Sequence, residues 1–124
     1  MIKGVRDFYY NVTDPKKALH FYTEALQMKI RMEMEGWISL ESGGVHIGLH
    51  PADHGETVFQ VPRDSHGPHG GGTLTLQSDN IKDDRKRIEA CGGKILGEED
   101  QPWGHMLVFE DLDGNVLKLM NPKY

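Results

Sequence analysis

The chain has 124 residues, which fits one compact domain, and its 37% hydrophobic and 27% charged residues are ordinary for a globular protein. The net charge is −5 and the densest basic run, DDRKR, is balanced by its own acids, which excludes a nucleic-acid-binding footprint; no apolar stretch is long enough for a membrane span. The single cysteine, Cys91, excludes an internal disulfide, so we expect a reducing, cytoplasmic location.

The pattern of the first half predicts one strand, one helix and three further strands. Aromatic and β-branched residues at 5–12 are typical of a strand. Asp14 is a good helix N-cap and Pro15 suits the first helical position, so a helix is predicted over residues 15–26. Alternation of apolar and polar residues then predicts three short strands, at 28–35, 37–41 and 43–50.

The same order recurs in the second half. A strand is predicted over 72–78, and Asp79 or Asn80 caps a helix over 81–91. Gly92 and Gly93 end that helix, and three more strands follow, at 94–99, 105–111 and 115–120. The recurrence predicts an internal repeat, with units at residues 1–50 and 72–122 joined by a Gly/Pro/His-rich linker, 51–71.

The duplicated βαβββ order resembles the vicinal oxygen chelate superfamily, which includes glyoxalase I, extradiol dioxygenases, fosfomycin-resistance enzymes and bleomycin-resistance proteins. The segments that carry the resemblance are VTDPKKALHFYTEALQMKI in the first half, and GGKIL, QPWG and FEDLDGNVLKL in the second. The resemblance implies an α+β fold in which two tandem βαβββ units form a cup-shaped mixed sheet. It also implies a homodimer, in which the units pair either within one chain or across the interface. Two positions depart from the family pattern, because Gln27 stands where glycine is usual and Leu112 where proline is common.

The metal-dependent members of this family use four ligand positions, one early in the first strand and one in the fourth strand of each unit. Alignment of the motifs puts these positions on Asp7, Gly48, Thr73 and Lys118. Only the Asp7 carboxylate suits a divalent ion such as Zn, Ni, Mn or Fe, because glycine has no side chain, threonine is a poor neutral ligand and lysine is cationic. The resemblance therefore implies a cup without a metal. In it Lys118 pairs with Asp7, meets an anionic ligand group, or extends to solvent at the rim.

Strand alternation predicts which side chains line the concave face of the cup. It groups Asp7 with Tyr9 on the first strand, and His46 with His50 on the fourth. The predicted ligand-binding residues are Asp7, Tyr9, Trp37, His46, His50, Thr73 and Lys118.

Three functions remain open from the sequence. The first is a metal-free protein that binds a small organic ligand in the cup, as bleomycin-resistance proteins do. The second is a divalent-metal-dependent glyoxalase-type lyase or isomerase, or a dioxygenase, with atypical ligands such as Asp7, His50 and a linker histidine. The third is a scaffold or regulatory subunit whose cup is filled by its own side chains.

Overall fold

The computed structural model describes residues 1–51, 63–64, 67–68 and 73–123. The first-half elements are β1 (Phe8–Val12), α1 (Pro15–His20), β2 (Lys29–Met34), β3 (Trp37–Ser42) and β4 (Val45–Pro51). Two short strands of the linker follow, β5 (Arg63–Asp64) and β6 (Gly67–Pro68). The second-half elements are β7 (Leu74–Gln77), α2 (Ile81–Ala90), β8 (Lys94–Gln101), β9 (Gly104–Glu110) and β10 (Val116–Pro122). The predicted order of one strand, one helix and three strands is confirmed in both halves.

The two halves have the same sheet topology. The first sheet has the strand order β1-β4-β3-β2 and the second has β7-β10-β9-β8, while β5 and β6 pair with each other. In each four-stranded sheet the first and fourth strands of the unit pair in parallel, and the other neighbours are antiparallel. Both sheets are open and mixed, which confirms the predicted α+β class with tandem units.

Side-chain caps fix where the helices begin. The Asp14 carboxylate accepts a hydrogen bond from the main-chain N–H of Lys17 at 3.1 Å, as predicted. In the second half Asn80, rather than Asp79, is the cap, and its side-chain oxygen accepts from the main-chain N–H of Asp83 at 3.2 Å. No helix in the described part of the chain is long and apolar enough to cross a membrane.

The first helix ends in an unusual way. After α1 the chain continues as a π-helical turn, Phe21–Ala25, and Gln27 follows with a φ of 58°. Positive φ favours glycine because it has no Cβ, which accounts for the glycine that is usual in the family at this position. The main-chain N–H of Met28 closes the turn by donating to the Tyr22 carbonyl at 3.1 Å.

One hydrophobic core is shared by both halves. Each helix packs on the sheet of its own unit, and α2 contacts the π-helical turn, so the two units meet through their helices. The core includes Val12, Phe21, Tyr22, Leu40, Ile47, Leu49, Ile88, Leu107, Phe109 and Leu117. Val45, which alternation assigns to this side, is instead exposed at the first position of β4. The side of each sheet that points away from the helices is called here its outer face.

Candidate ligand-binding site

Strand alternation places the site residues of the first half on the first outer face. On β4, Ile47 and Leu49 are buried in the core, so His46, Gly48 and His50 point outward. On β1, Val12 is fully buried, so its alternate neighbours Tyr9 and Asn11 point outward as well. The assignment of these faces from the sequence is therefore confirmed by the burial of their neighbours.

Three aromatic rings meet on the first outer face and form what we call the ring cluster, Tyr9, Trp37 and His50. The ring centroids of Tyr9 and Trp37 are 5.6 Å apart with an interplanar angle of 64°. The His50 ring lies 6.1 Å from that of Tyr9 and 6.4 Å from that of Trp37. Tyr9 keeps 53% of its surface exposed. The cluster brings together three of the predicted site residues and remains accessible from solvent in the single chain.

Gly48 lies directly beneath the Trp37 indole. Its neighbours across the sheet are Tyr9 on β1 and Ser39 on β3. A Cβ placed on Gly48 would overlap the six-membered ring of Trp37 and would also approach Cβ of Tyr9 to 2.9 Å. Every residue other than glycine would therefore displace the tryptophan, so Gly48 is required by the ring cluster.

Asn11 orients the His50 ring within the cluster. The side-chain oxygen of Asn11 lies 3.1 Å from Nδ1 of His50. An amide oxygen only accepts hydrogen bonds, so this contact favours the imidazole tautomer with its proton on Nδ1. The other predicted histidine of this strand, His46, lies opposite Glu41 and outside the ring cluster.

A buried hydrogen-bond network holds β1 against the turn between β9 and β10. The Asp111 carboxylate accepts from the Tyr22 hydroxyl at 2.7 Å and from the Asn115 side-chain amide at 2.8 Å. The same amide donates to the main-chain oxygen of Asn11 at 3.0 Å, so the network positions the strand that orients His50. Burial raises the pKa of Asp111, although the hydrogen bonds from Asn115 and Tyr22 oppose this shift. Burial, followed by the neighbouring Asp111, raises the pKa of Tyr22 well above its usual value.

Lys118 stands on the second outer face, in the middle of β10. Its neighbours across the sheet are Thr75 on β7 and Val108 on β9. Its ammonium Nζ lies over the indole of Trp103 at 5.6 Å from the ring centroid, a cation–π contact. The Lys118 charge thus contacts an aromatic ring of its own chain, and the side chain remains partly exposed on the second outer face.

Asp7 and Thr73 precede the strands in which they were expected to lie. Asp7 lies one residue before β1 and approaches the exposed Arg6 at 3.9 Å rather than Lys118. Thr73 lies one residue before β7 and is exposed. Across the parallel strand pairs, Tyr9 is the neighbour of Gly48 and Thr75 is the neighbour of Lys118. Tyr9 lies two positions after Asp7, and Thr75 lies two positions after Thr73.

The side chains at the four family positions do not fit a divalent metal. Glycine, threonine and a cationic lysine leave one carboxylate, and Trp37 occupies the space above Gly48. Among the described residues, no group of three or more His, Cys, Asp or Glu side chains is close enough to hold a metal ion. The histidines that could supply the linker ligand of the metal-dependent alternative are His54, His66 and His69, and they lie outside the described residues.

Three residues that position the site were not predicted from the sequence: Trp103, Asp111 and Asn115. Asp111 ends a predicted strand two residues before the Asp113-Gly114-Asn115 turn, and an acidic residue at that point is the signal that could have indicated a buried acceptor. The approach of Trp103 to Lys118 depends on how the β8–β9 turn folds over the sheet, and no local sequence pattern indicates it.

Comparisons with known proteins agree with this architecture. The model of the Glyoxalase/Bleomycin resistance protein/Dioxygenase superfamily matches residues 5–119. A hypothetical protein from S. aureus has a similar structure, with 18% identity, 98% of this chain and 94% of that chain covered, and a TM-score of 0.77. The fosfomycin resistance protein FosX from Listeria monocytogenes, complexed with Mn(II) and sulfate, has 17% identity, 99% and 93% coverage and a TM-score of 0.75. Lactoylglutathione lyase from Agrobacterium tumefaciens has 16% identity, 97% and 94% coverage and a TM-score of 0.68. No curated protein sequence matches the chain.

Proposed function

Because the chain belongs to the Glyoxalase/Bleomycin resistance protein/Dioxygenase superfamily, we propose that it binds a small organic ligand with an anionic group, without a metal ion. The observation that carries this proposal is the ring cluster of Tyr9, Trp37 and His50, which lies above Gly48 on the first outer face and in which Tyr9 is 53% exposed. Clustered aromatic side chains with a few polar groups are typical of small-molecule sites.

The proposal excludes a metal because of the donor set on the outer faces. The FosX structure holds Mn(II), but the family positions of this chain supply one carboxylate, Asp7. In this proposal Lys118, rather than a metal ion, supplies the positive charge that binds the anionic group. It is half-buried on the second outer face beside Thr75. An ammonium group and a threonine hydroxyl can both donate hydrogen bonds to a carboxylate or another anionic group.

The proposed site is completed by a second copy of the chain. The two units of one chain meet through their helices, which pack on the side of each sheet opposite its outer face. We therefore infer that a cup with walls from both types of face forms in a homodimer. In it, Tyr9 and Trp37 of one subunit face Thr75 and Lys118 of the partner subunit. We expect static light scattering to give the mass of a dimer at micromolar concentration, and a monomer mass would contradict the shared cup.

Ligand binding is tested by screening small organic acids and neutral compounds against ¹⁵N-labelled protein by NMR. The chain has two tryptophans, so Trp37→Phe assigns both indole N–H signals. We expect the acids that bind to shift the Trp37 signal. Lys118→Met should weaken the binding of these acids and leave the binding of neutral compounds unchanged. If no compound shifts the Trp37 signal, or if Lys118→Met leaves every affinity unchanged, the proposed function is wrong.

A further inference from the structure

The contact between Trp37 and Gly48 narrows the class of ligand. We infer that the first outer face is a subsite for a flat aromatic ring. It is formed at Gly48, the fourth-strand position at which the metal-dependent members of the family have a metal-coordinating residue. This inference rests on the proposed function and adds to it the chemistry of the part of the ligand that does not carry the charge.

Trp37 is held in place from several sides. The indole rests on the Gly48 backbone, where no Cβ is present to lift it from the sheet. Tyr9 contacts the indole at 5.6 Å with an edge-to-face angle of 64°, and His50 contacts it at 6.4 Å with an angle of 50°. Because the rings already lie in contact, little side-chain entropy is lost when a ligand binds. The subsite is preorganised for one ring orientation.

The chemistry around the cluster favours an aromatic ring over a saturated one. Aromatic pairs gain energy from offset-stacked or edge-to-face contacts, which a saturated ring cannot make. Met34 lies opposite Trp37 and Met32 lies opposite Ser39, so both methionines border the cluster on the same face. They are 56% and 44% exposed, and their thioether sulfurs make favourable contacts with aromatic ring edges.

The test compares 2-naphthoate with decahydro-2-naphthoate, which has the same carboxylate and a similar size but no aromatic ring. Dissociation constants are measured by NMR for the wild type, Gly48→Ala, Trp37→Leu and Gly97→Ala. Gly97 is the matched control, because a Cβ placed there has no atom within 4 Å. Thermal unfolding of each variant shows whether it folds. If Gly48→Ala does not fold, Trp37→Leu still tests the subsite.

We expect the wild type and Gly97→Ala to bind 2-naphthoate about tenfold more tightly than its saturated analogue. Gly48→Ala, which displaces the indole, and Trp37→Leu should both remove that preference. Equal binding of the two acids by the wild type, a preference that survives in Trp37→Leu, or no binding of 2-naphthoate would each overturn the aromatic subsite. Equal binding that Lys118→Met weakens for both acids would overturn the subsite alone and leave the proposed function standing.

Discussion

Replacing Tyr22 with Phe should destabilise the fold, and the loss should be larger at neutral than at acidic pH. The Tyr22 hydroxyl is fully buried and donates to the Asp111 carboxylate at 2.7 Å. Phenylalanine has the same ring, so the substitution removes the hydrogen bond without leaving a large cavity. Asp111 keeps its contacts from the main-chain N–H groups of Asp113 and Asn115 and from the Asn115 amide.

The magnitude follows from the charge on the acceptor. A hydrogen bond to a charged group contributes about 1.5–3 kcal/mol to the free energy of unfolding, and one between neutral groups contributes about 1 kcal/mol. Since three donors to Asp111 remain, we expect a loss of about 2 kcal/mol while the carboxylate is ionised. Once Asp111 is protonated, the loss should fall to about 1 kcal/mol or less.

The direction of the pH dependence follows from the raised pKa of Asp111. A raised folded-state pKa gives a stability contribution that is fully present below the unfolded-state pKa and is lost as the pH rises through the folded-state pKa. Removal of the Tyr22 hydroxyl takes away a group that lowers the pKa of Asp111. The folded-state pKa therefore rises further in the variant, and its stability decreases more steeply with pH.

The assay is urea unfolding at fixed protein concentration, at about pH 4 and about pH 8, followed by circular dichroism. Tyr10→Phe is the matched control, because the Tyr10 hydroxyl donates to the neutral Val116 carbonyl at a longer distance, 3.3 Å. The pKa of Tyr10 is raised to about 12 by burial, so this residue does not titrate in the range of the assay. Equal losses for the two variants at the higher pH, or a loss in Tyr22→Phe that does not change with pH, would refute the reasoning.

Three further outcomes are expected. Asn80→Ala should lower the free energy of unfolding by about 1 kcal/mol because it removes the cap of α2. Asp79→Ala should match the wild type in thermal unfolding, and equal effects of the two substitutions would contradict the assignment of the cap. Lys118→Met should change stability by no more than about 1 kcal/mol, since its cation–π contact with Trp103 is partly exposed, but should weaken 2-naphthoate binding; unfolding and NMR titration separate the two effects. Elemental analysis of untagged protein should find far less than one transition-metal ion per chain, and chelator treatment should leave the melting temperature unchanged; a stoichiometric metal lost together with ligand binding would contradict the metal-free site.

The elements and faces of this fold could be predicted from the sequence because their signals are local. Alternation with a period of two assigns Tyr10 and Val12 to the core and Tyr9 to the outer face, whichever strands later become neighbours. Asp14 signals the start of α1 in the same way, through a side chain that reaches its own helix. The duplicated order of elements then indicates the family fold, which the superfamily match confirms.

The partners of each site residue could not be predicted in this way. Counting from the motifs puts the first-strand positions on Asp7 and Thr73, whereas the sheet sets Tyr9 beside Gly48 and Thr75 beside Lys118. Register between parallel strands depends on hydrogen bonds between segments that are far apart in the sequence, and a shift of two residues preserves every face. Local patterns therefore do not distinguish these two registers.

By itself, the sequence determined the repeat and the two faces of each sheet, because residue type and spacing are enough for both. The tertiary structure alone decided that Trp37 covers Gly48, that Lys118 makes a cation–π contact with Trp103, and that Asp111 accepts a hydrogen bond from Tyr22 across the shared core. Each of these contacts joins segments whose approach depends on the packing of the whole chain, so no stretch of sequence encodes it locally.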